Sequence, residues 1–295
     1  MKRVASLDTH TAARPRVGVI GLGRMGTAIA TQLQPHYEVA GWDKRAIALN
    51  NVASVPDVAA LIRTCQVVIS CLPSPVETSA VIEDPTLHKA FSESDTVLVD
   101  ASTSDPESLR GLAARLGTAG NRIVDAPILG RPNRIGQWTI PIGGEEVFVE
   151  RVRPVLGFLA NRVEHVGSLG SGHAIKLLNN LMFAAINVVT AEAIAGCSYV
   201  GVEPHRFVDI VAGSHAATVS PLFKDLAPRM LGLNDEVVFT AALLAKDAEL
   251  AQKMYKAAGV PARLAPQLAD IANATVDAGY GDQDSAAVVN LYQKP

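Results

Sequence analysis

Residues 16–30 read RVGVIGLGRMGTAIA, a β-rich apolar run that breaks at Gly21, Gly23 and Gly26 and resumes with helical spacing. The glycines stand in G-x-G-x-x-G order, and each position has its own physical demand. Gly21 permits a tight turn, Gly23 lets backbone approach a pyrophosphate, and Gly26 lets the helix pack close to the strand. The helix N-terminus then offers free amides and the positive end of a dipole. Gly21, Leu22, Gly23, Arg24, Met25 and Gly26 therefore form a candidate dinucleotide-binding turn. An acidic residue, Asp43, ends the next apolar run about 20 residues on, where it can meet a ribose. Its carboxylate can accept from both ribose hydroxyls and repel a 2′-phosphate, which favours NAD. Lys44 and Arg45 follow directly and can neutralise such a phosphate, which leaves NADP open.

Outward from this turn, short β-rich runs alternate with helical segments. YEVAGW, QVVISCL, TVLVDAS and NRIVDAP are further runs, and GTAIATQLQ, DVAALIRTC and PESLRGLAARL lie between them. Asp57 and Asp105 stand where they can cap two of these helices. Runs buried on both faces and separated by helices predict a largely parallel sheet with helices on both sides. QWTIPIGG and RVEHVG add two expected strands around the helix EEVFVERVRPVL. After GSLGSG the pattern turns Ala- and Leu-rich and helical. One helix is expected from Gly170–Gly172 to about Val200, then others over PHRFVDIVAG, PLFKDLAPRM, FTAALLAKDAELAQKMYKAAG, RLAPQLADIANATVDAG and DSAAVVNLYQ. The organisation expected is a loose leader over 1–14, an α/β dinucleotide-binding domain of Rossmann type over 15–167, and an all-α domain over 168–295. A long helix joins the two.

Composition narrows the function classes. The 295 residues carry 26 Lys and Arg against 29 Asp and Glu, a net charge of −3, so no basic footprint marks a nucleic-acid or membrane partner. With 48% hydrophobic residues the chain can bury a large core without a metal or disulfide. Cys65, Cys71 and Cys197 are odd in number and lack metal-ligand spacing, which suits reduced thiols in a cytoplasmic protein and no metal site. The first fourteen residues hold no apolar core of signal-peptide length. No apolar stretch is expected to reach the ~18 residues of a spanning helix, because LMFAAINVVTAEAIAG is interrupted by Asn187, Thr190 and Glu192.

Within HAIKLLNNLMFAA, Lys176 and Asn180 are four apart and project from one helix face, with His173 and Asn179 nearby. A polar stripe on an apolar helix is either its wet side or the wall of a pocket. Lys246 lies between Leu243 and Leu250 on the expected inward side of its helix. There it either snorkels to solvent or reaches a cofactor or carboxylate.

Taken together these residues resemble the β-hydroxyacid dehydrogenases, the family of 3-hydroxyisobutyrate dehydrogenases and tartronate semialdehyde reductases. The resemblance runs through VGVIGLGRMGTAIA, CLP at Cys71–Pro73, DASTSDP at Asp100–Pro106 and DAPILG at Asp125–Gly130. It continues through GSLGSGHAIKLLNN at Gly167–Asn180, AKDAELA around Lys246 and GDQD near the C-terminus. It implies hydride transfer between a nicotinamide and a small hydroxy acid or semialdehyde, with Lys176 as the catalytic lysine and Asn180 binding substrate. It further implies that Thr103 and Lys246 line the cofactor and substrate site, that Leu72 and Pro73 flank the dinucleotide, and that Ser102 contacts substrate. A homodimer or homotetramer through the helical domain is also implied.

One departure stands out. Where that family reads Ser-Gly-Gly after DAPV, this chain has Leu129, Gly130 and Arg131. Leucine offers no hydrogen bond to a substrate carboxylate, whereas Arg131 beside Gly130 can supply a bidentate fork or simply be solvated ahead of Pro132. The competing functions are an imine reductase-like NADPH enzyme and a non-catalytic dinucleotide-binding scaffold. The presence of Lys176 argues against both.

Overall fold

Nine or so β-branched and aliphatic side chains with no exposed face are what make the sheet's centre: Val17, Val19, Ile20, Val67, Val68, Ile69, Val97, Leu98 and Val99 are all buried. A strand buried on both sides needs helices above and below it, and the chain supplies them in alternation. The computed structural model describes residues 15–216 and 218–293, so the expected leader over 1–14 lies outside the described residues. The chain divides into two units. The first holds the described residues to Ser102 together with Arg110–Gly172, and the second holds Thr103–Leu109 and the described residues from His173 onward.

The first unit is an eight-stranded sheet. Its strands are β1 (Arg16–Ile20), β2 (Glu38–Trp42), β3 (Ala53–Ser54), β4 (Val67–Ser70), β5 (Val97–Asp100), β6 (Ile123–Asp125), β7 (Trp138–Gly143) and β8 (Ala160–Gly167). They lie in the order β3-β2-β1-β4-β5-β6-β7-β8, and every neighbouring pair is parallel except β6 with β7. The order reverses between β1 and β4, so the loops leaving Ile20 and Ser70 flank the switch point where such sheets take their ligands. Helices α1 (Arg24–Leu33), α2 (Val58–Thr64), α3 (Pro75–Ile82), α4 (Pro85–Ser92), α5 (Pro106–Arg115) and α6 (Glu146–Leu156) connect the strands. Asp57 caps α2 as expected, accepting from the Ala60 amide at 2.7 Å.

Three elements go beyond the periodicity. Helices α3 and α4 each open on a proline, Pro75 and Pro85, behind the capping side chains of Ser74 and Asp84. Proline at a first helical position is pre-set for the helix, although in a sequence it looks like a break. Strand β3 has only two residues.

The second unit is helical: α7 (Ser171–Tyr199, shared at its start with the first unit), α8 (Pro204–Gly213), α9 (Pro221–Met230), α10 (Ala241–Ala257) and α11 (Leu264–Thr275). The expected helix over DSAAVVNLYQ is instead a tighter 3₁₀ helix, Ser285–Leu291, capped by Asp284. Helix α7 also corrects an expectation. It contains an 18-residue window long and apolar enough to cross a bilayer, because Asn187 and Thr190 interrupt the stretch without adding charge. Both are buried within the unit; the Asn187 amide donates to the Ser285 carbonyl at 2.7 Å, and Thr190 Oγ1 bonds back to Ile186 at 2.6 Å. Ala191 and Ile194 of the same helix pack into a core with Val208, Phe223, Leu226 and Val288.

Candidate functional site

In the first unit the glycine turn follows β1 directly. Gly21 adopts φ +85°, a left-handed conformation in which any other side chain is strained, and a Cβ there would strike the Cys71 carbonyl. A Cβ on Gly26 would strike the carbonyl oxygen of Gly21, so the helix and the turn touch backbone to backbone. Gly23 differs from both: no atom stands within 4 Å of where its Cβ would be. Packing within the protein therefore explains two of the glycines, and the third leaves open backbone at the start of α1. Gly23 is the N-cap of α1 and no side chain caps that end. Open backbone beside uncapped helix amides is what a dinucleotide pyrophosphate needs, so the residues present fit such a cofactor. Leu22 is buried, Met25 packs against the sheet core, and Arg24 is exposed.

Asp43 sits at the end of β2 with its side chain 7% exposed. One carboxylate oxygen accepts from the Leu22 amide at 2.8 Å; the other accepts from the Arg45 amide at 2.9 Å and Nε at 3.1 Å. Burial raises its pKa, but the Arg45 and Leu22 hydrogen bonds and the guanidinium charge outweigh burial and hold the carboxyl below its ordinary value. The carboxylate is thus a tie that fixes the glycine turn.

Leu72 follows β4, and its amide donates to Ser102 Oγ at 2.9 Å. Ser102 is buried, and its own amide donates to Asp100 Oδ1 at 3.1 Å. The structure thus uses the Ser102 oxygen to join the two loops that leave β4 and β5. Pro73 is exposed beside it. Cys71 lies in the same place, but burial, and then the Asp100 charge, push its thiol up to about 12, so it is chemically quiet.

The altered segment has a clear local cause. Leu129 pairs with Thr139 through two backbone hydrogen bonds of 2.9 and 3.2 Å, and the indole Nε1 of Trp138 donates to the Arg131 carbonyl at 2.7 Å. A Cβ on Gly130 would run into the Trp138 ring. Trp138 is fully buried, so the backbone of 129–131 is clamped while the Arg131 side chain is exposed.

The second unit gathers the other candidates. Asn180 of α7 is buried and donates to Asp247 Oδ2 at 2.5 Å, while the Asn179 amide donates to Asn180 Oδ1 at 3.0 Å. Asp247 is 2% exposed. Lys246 Nζ stands 3.0 Å from Asp247 Oδ1, close enough for an ion pair but at an angle that leaves this oxygen without a hydrogen bond. The same ammonium donates to the Thr103 carbonyl at 3.4 Å. Lys246 is turned in despite Leu243, its supposed inward neighbour, being 37% exposed. Lys176, half-buried on α7, has its pKa lowered by burial; Asp247 opposes that shift and Lys246 adds to it. His173 is fully buried on the same helix.

The structure thus brings Lys176, Asn180, Lys246 and Thr103 into one polar set in the second unit. Gly21–Gly26, Asp43, Leu72, Pro73, Ser102, Gly130 and Arg131 belong to the first. Asp247 and Trp138 are further residues of these two sets, beyond those the sequence singles out. The one available signal for Asp247 was an acid directly after Lys246 on an otherwise Ala- and Leu-rich helix.

Residues 16–167 match the model of the NAD binding domain of 6-phosphogluconate dehydrogenase, and residues 170–292 match that of the NAD-binding region of NADP-dependent 3-hydroxyisobutyrate dehydrogenase. A mitochondrial 3-hydroxyisobutyrate dehydrogenase of Drosophila melanogaster is 26% identical, over 99% of this chain and 93% of that protein. The 2-(hydroxymethyl)glutarate dehydrogenase of Eubacterium barkeri is 24% identical, over 95% of each. Among solved structures, a Mycobacterium tuberculosis 3-hydroxyisobutyrate dehydrogenase determined with L-serine superposes with a TM-score of 0.77 at 25% identity, covering 95% of this chain and 99% of that one.

Proposed function

The chain belongs to the β-hydroxyacid dehydrogenase family of NAD(P)-dependent oxidoreductases, and on that premise we propose that Lys176 is its general acid and base toward a small β-hydroxy acid or the matching carbonyl compound. When bound, the dinucleotide supplies the hydride acceptor or donor. The residues of the first unit that would hold it are the Gly21–Gly26 turn, Asp43, Leu72 and Pro73. The observation that carries the reading is a half-buried ammonium beside the Asn180–Asp247 pair. As a carbonyl is reduced, charge develops on its oxygen, and protonated Lys176 stabilises that charge and hands over a proton. Oxidation runs the same transfer backwards and needs the neutral amine. Asn180, fixed by Asp247, orients the substrate oxygen, and Lys246 lines the same set.

The pH dependence follows with a definite sign. An ordinary lysine titrates near ~10.4. Burial lowers Lys176, so kcat/KM for oxidation should rise with pH through a value below the ordinary one. Asp247→Asn removes the charge that opposes this shift and moves that limb to lower pH. Lys246→Met removes a repulsion and moves it to higher pH. Lys176→Ala should slow single-turnover hydride transfer by about 10²–10⁴-fold, and an unchanged rate would sink the assignment.

For the cofactor, the reading favours NAD, supported by the ionised Asp43 at the end of β2. Arg45, 63% exposed and paired with that carboxylate, is the group that offsets the preference. The ratio of kcat/KM for NAD over NADP should rise in Arg45→Ala and fall in Asp43→Asn. A wild-type protein that prefers NADP overturns the reading.

Arg131 takes the place of the missing serine as a fork for the substrate carboxylate. Its clamped backbone and exposed side chain support this role. A charge-assisted pair of this kind is worth about 1.5–3 kcal/mol, so Arg131→Ala should raise KM for an acidic substrate roughly 10- to 100-fold with little loss of kcat. A KM that does not move refutes the role.

The helical unit is also proposed to join a second copy of the chain. Ile175, Leu178, Met182 and Val189 are exposed along one side of α7 at helical spacing. Met182→Asp should shift the sedimenting species to the monomer; a wild type that is monomeric at micromolar concentration ends this part of the reading.

A further inference from the structure

Helix α10 holds two lysines seven residues apart, hence on one side, and both reach the segment Thr103–Leu109. Lys246 Nζ donates to the Thr103 carbonyl at 3.4 Å. Lys253 Nζ donates to Asp105 Oδ2 at 3.1 Å and to Ser108 Oγ at 3.3 Å. Asp105 is 2% exposed, and its other oxygen accepts from the Ser108 amide at 2.9 Å, which caps the start of α5. The segment therefore leaves β5 and is tied to α10 at two points two residues apart.

We propose that Lys253 is a positioning residue that acts through Asp105 to hold Thr103–Leu109 on α10, and so fixes where the Thr103 carbonyl receives the Lys246 ammonium. The inference rests on the functional reading above only in taking Thr103 and Lys246 as part of the site; the tie itself is independent of it.

The physical argument turns on the buried partner. An exposed lysine on an exposed acid contributes little, since water serves both. Here the acid is buried, so losing the cation leaves a carboxylate with too few partners. Burial raises the Asp105 pKa, but hydrogen bonds from Ser108 and Lys253 together with the Lys253 charge hold it below the ordinary carboxylate value. A lowered carboxyl contributes above its unfolded pKa and is lost as pH falls through the folded one. Without Lys253, only the Ser108 bonds oppose burial, so the folded pKa climbs and the segment loosens at a higher pH than in the wild type.

Lys253→Met, Lys253→Arg and Asp105→Asn should be compared in the full chain by amide hydrogen exchange over residues 104–109 and by the pH profile of kcat/KM. The expected result is exchange at least tenfold faster in Lys253→Met, an acid limb moved to higher pH and a kcat reduced at least fivefold. Lys253→Arg should stay within twofold of wild type throughout. In an Asp105→Asn background, Lys253→Met should add nothing further. Exchange unchanged by Lys253→Met overturns the proposal whatever the activity, and faster exchange with an unmoved pH profile overturns the link to Thr103 and Lys246. The Lys176 role fails on a different observation, hydride transfer in Lys176→Ala, so the two failures are distinguishable.

Discussion

Burying a charge costs several kcal/mol unless a neighbour answers it, and in the second unit that constraint arranges the polar side chains. Asp247 and Asp105 are each 2% exposed; each is met by a lysine of α10 and by one further hydrogen bond, from Asn180 of α7 to Asp247 and from the nearby Ser108 amide to Asp105. The need to satisfy the two carboxylates thus fixes two stretches against α10: α7 through Asn180, and the Thr103–Leu109 segment through Lys253. Lys176 stands in the field of this set. Burial favours its neutral form, Lys246 pushes the same way, and Asp247 restrains the shift. The titration of this amine is therefore set by a balance of its neighbours and not by burial alone.

The first unit follows a different constraint, that of backbone touching backbone. Gly21 and Gly26 are explained by contacts inside the protein, and Gly23 is not. This contrast is more informative than the motif itself, since a turn that bound nothing would need only the first two. The motif, the strand before it and Asp43 after it could all be read in the sequence, because they depend on local periodicity and on residues within about 20 positions. The bond from the Leu22 amide to Asp43 could not be read, because an acid at the end of an apolar run gives no sign of which amide it faces.

Elsewhere the limit of the sequence was also physical. Helices α3 and α4 hide behind their opening prolines. The asparagine and threonine of α7 look like interruptions in a sequence, whereas both are hydrogen-bonded inside the unit. Leucine spacing does not explain why Lys246 turns in, since Leu243 is exposed; the Thr103 carbonyl and Asp247 do. The Asn180–Asp247 bond joins positions 67 apart, and such pairing leaves no trace in spacing.

The segment Leu129–Arg131 lies outside the named strands, yet its backbone is not left free. Leu129 is paired to Thr139, and the buried Trp138 ring occupies the space that any side chain at position 130 would need. The same ring holds the Arg131 carbonyl, so the glycine, the tryptophan and the arginine are one structural unit. An arginine on a mobile loop would lose conformational entropy on gripping an anion; one whose backbone is already fixed loses less.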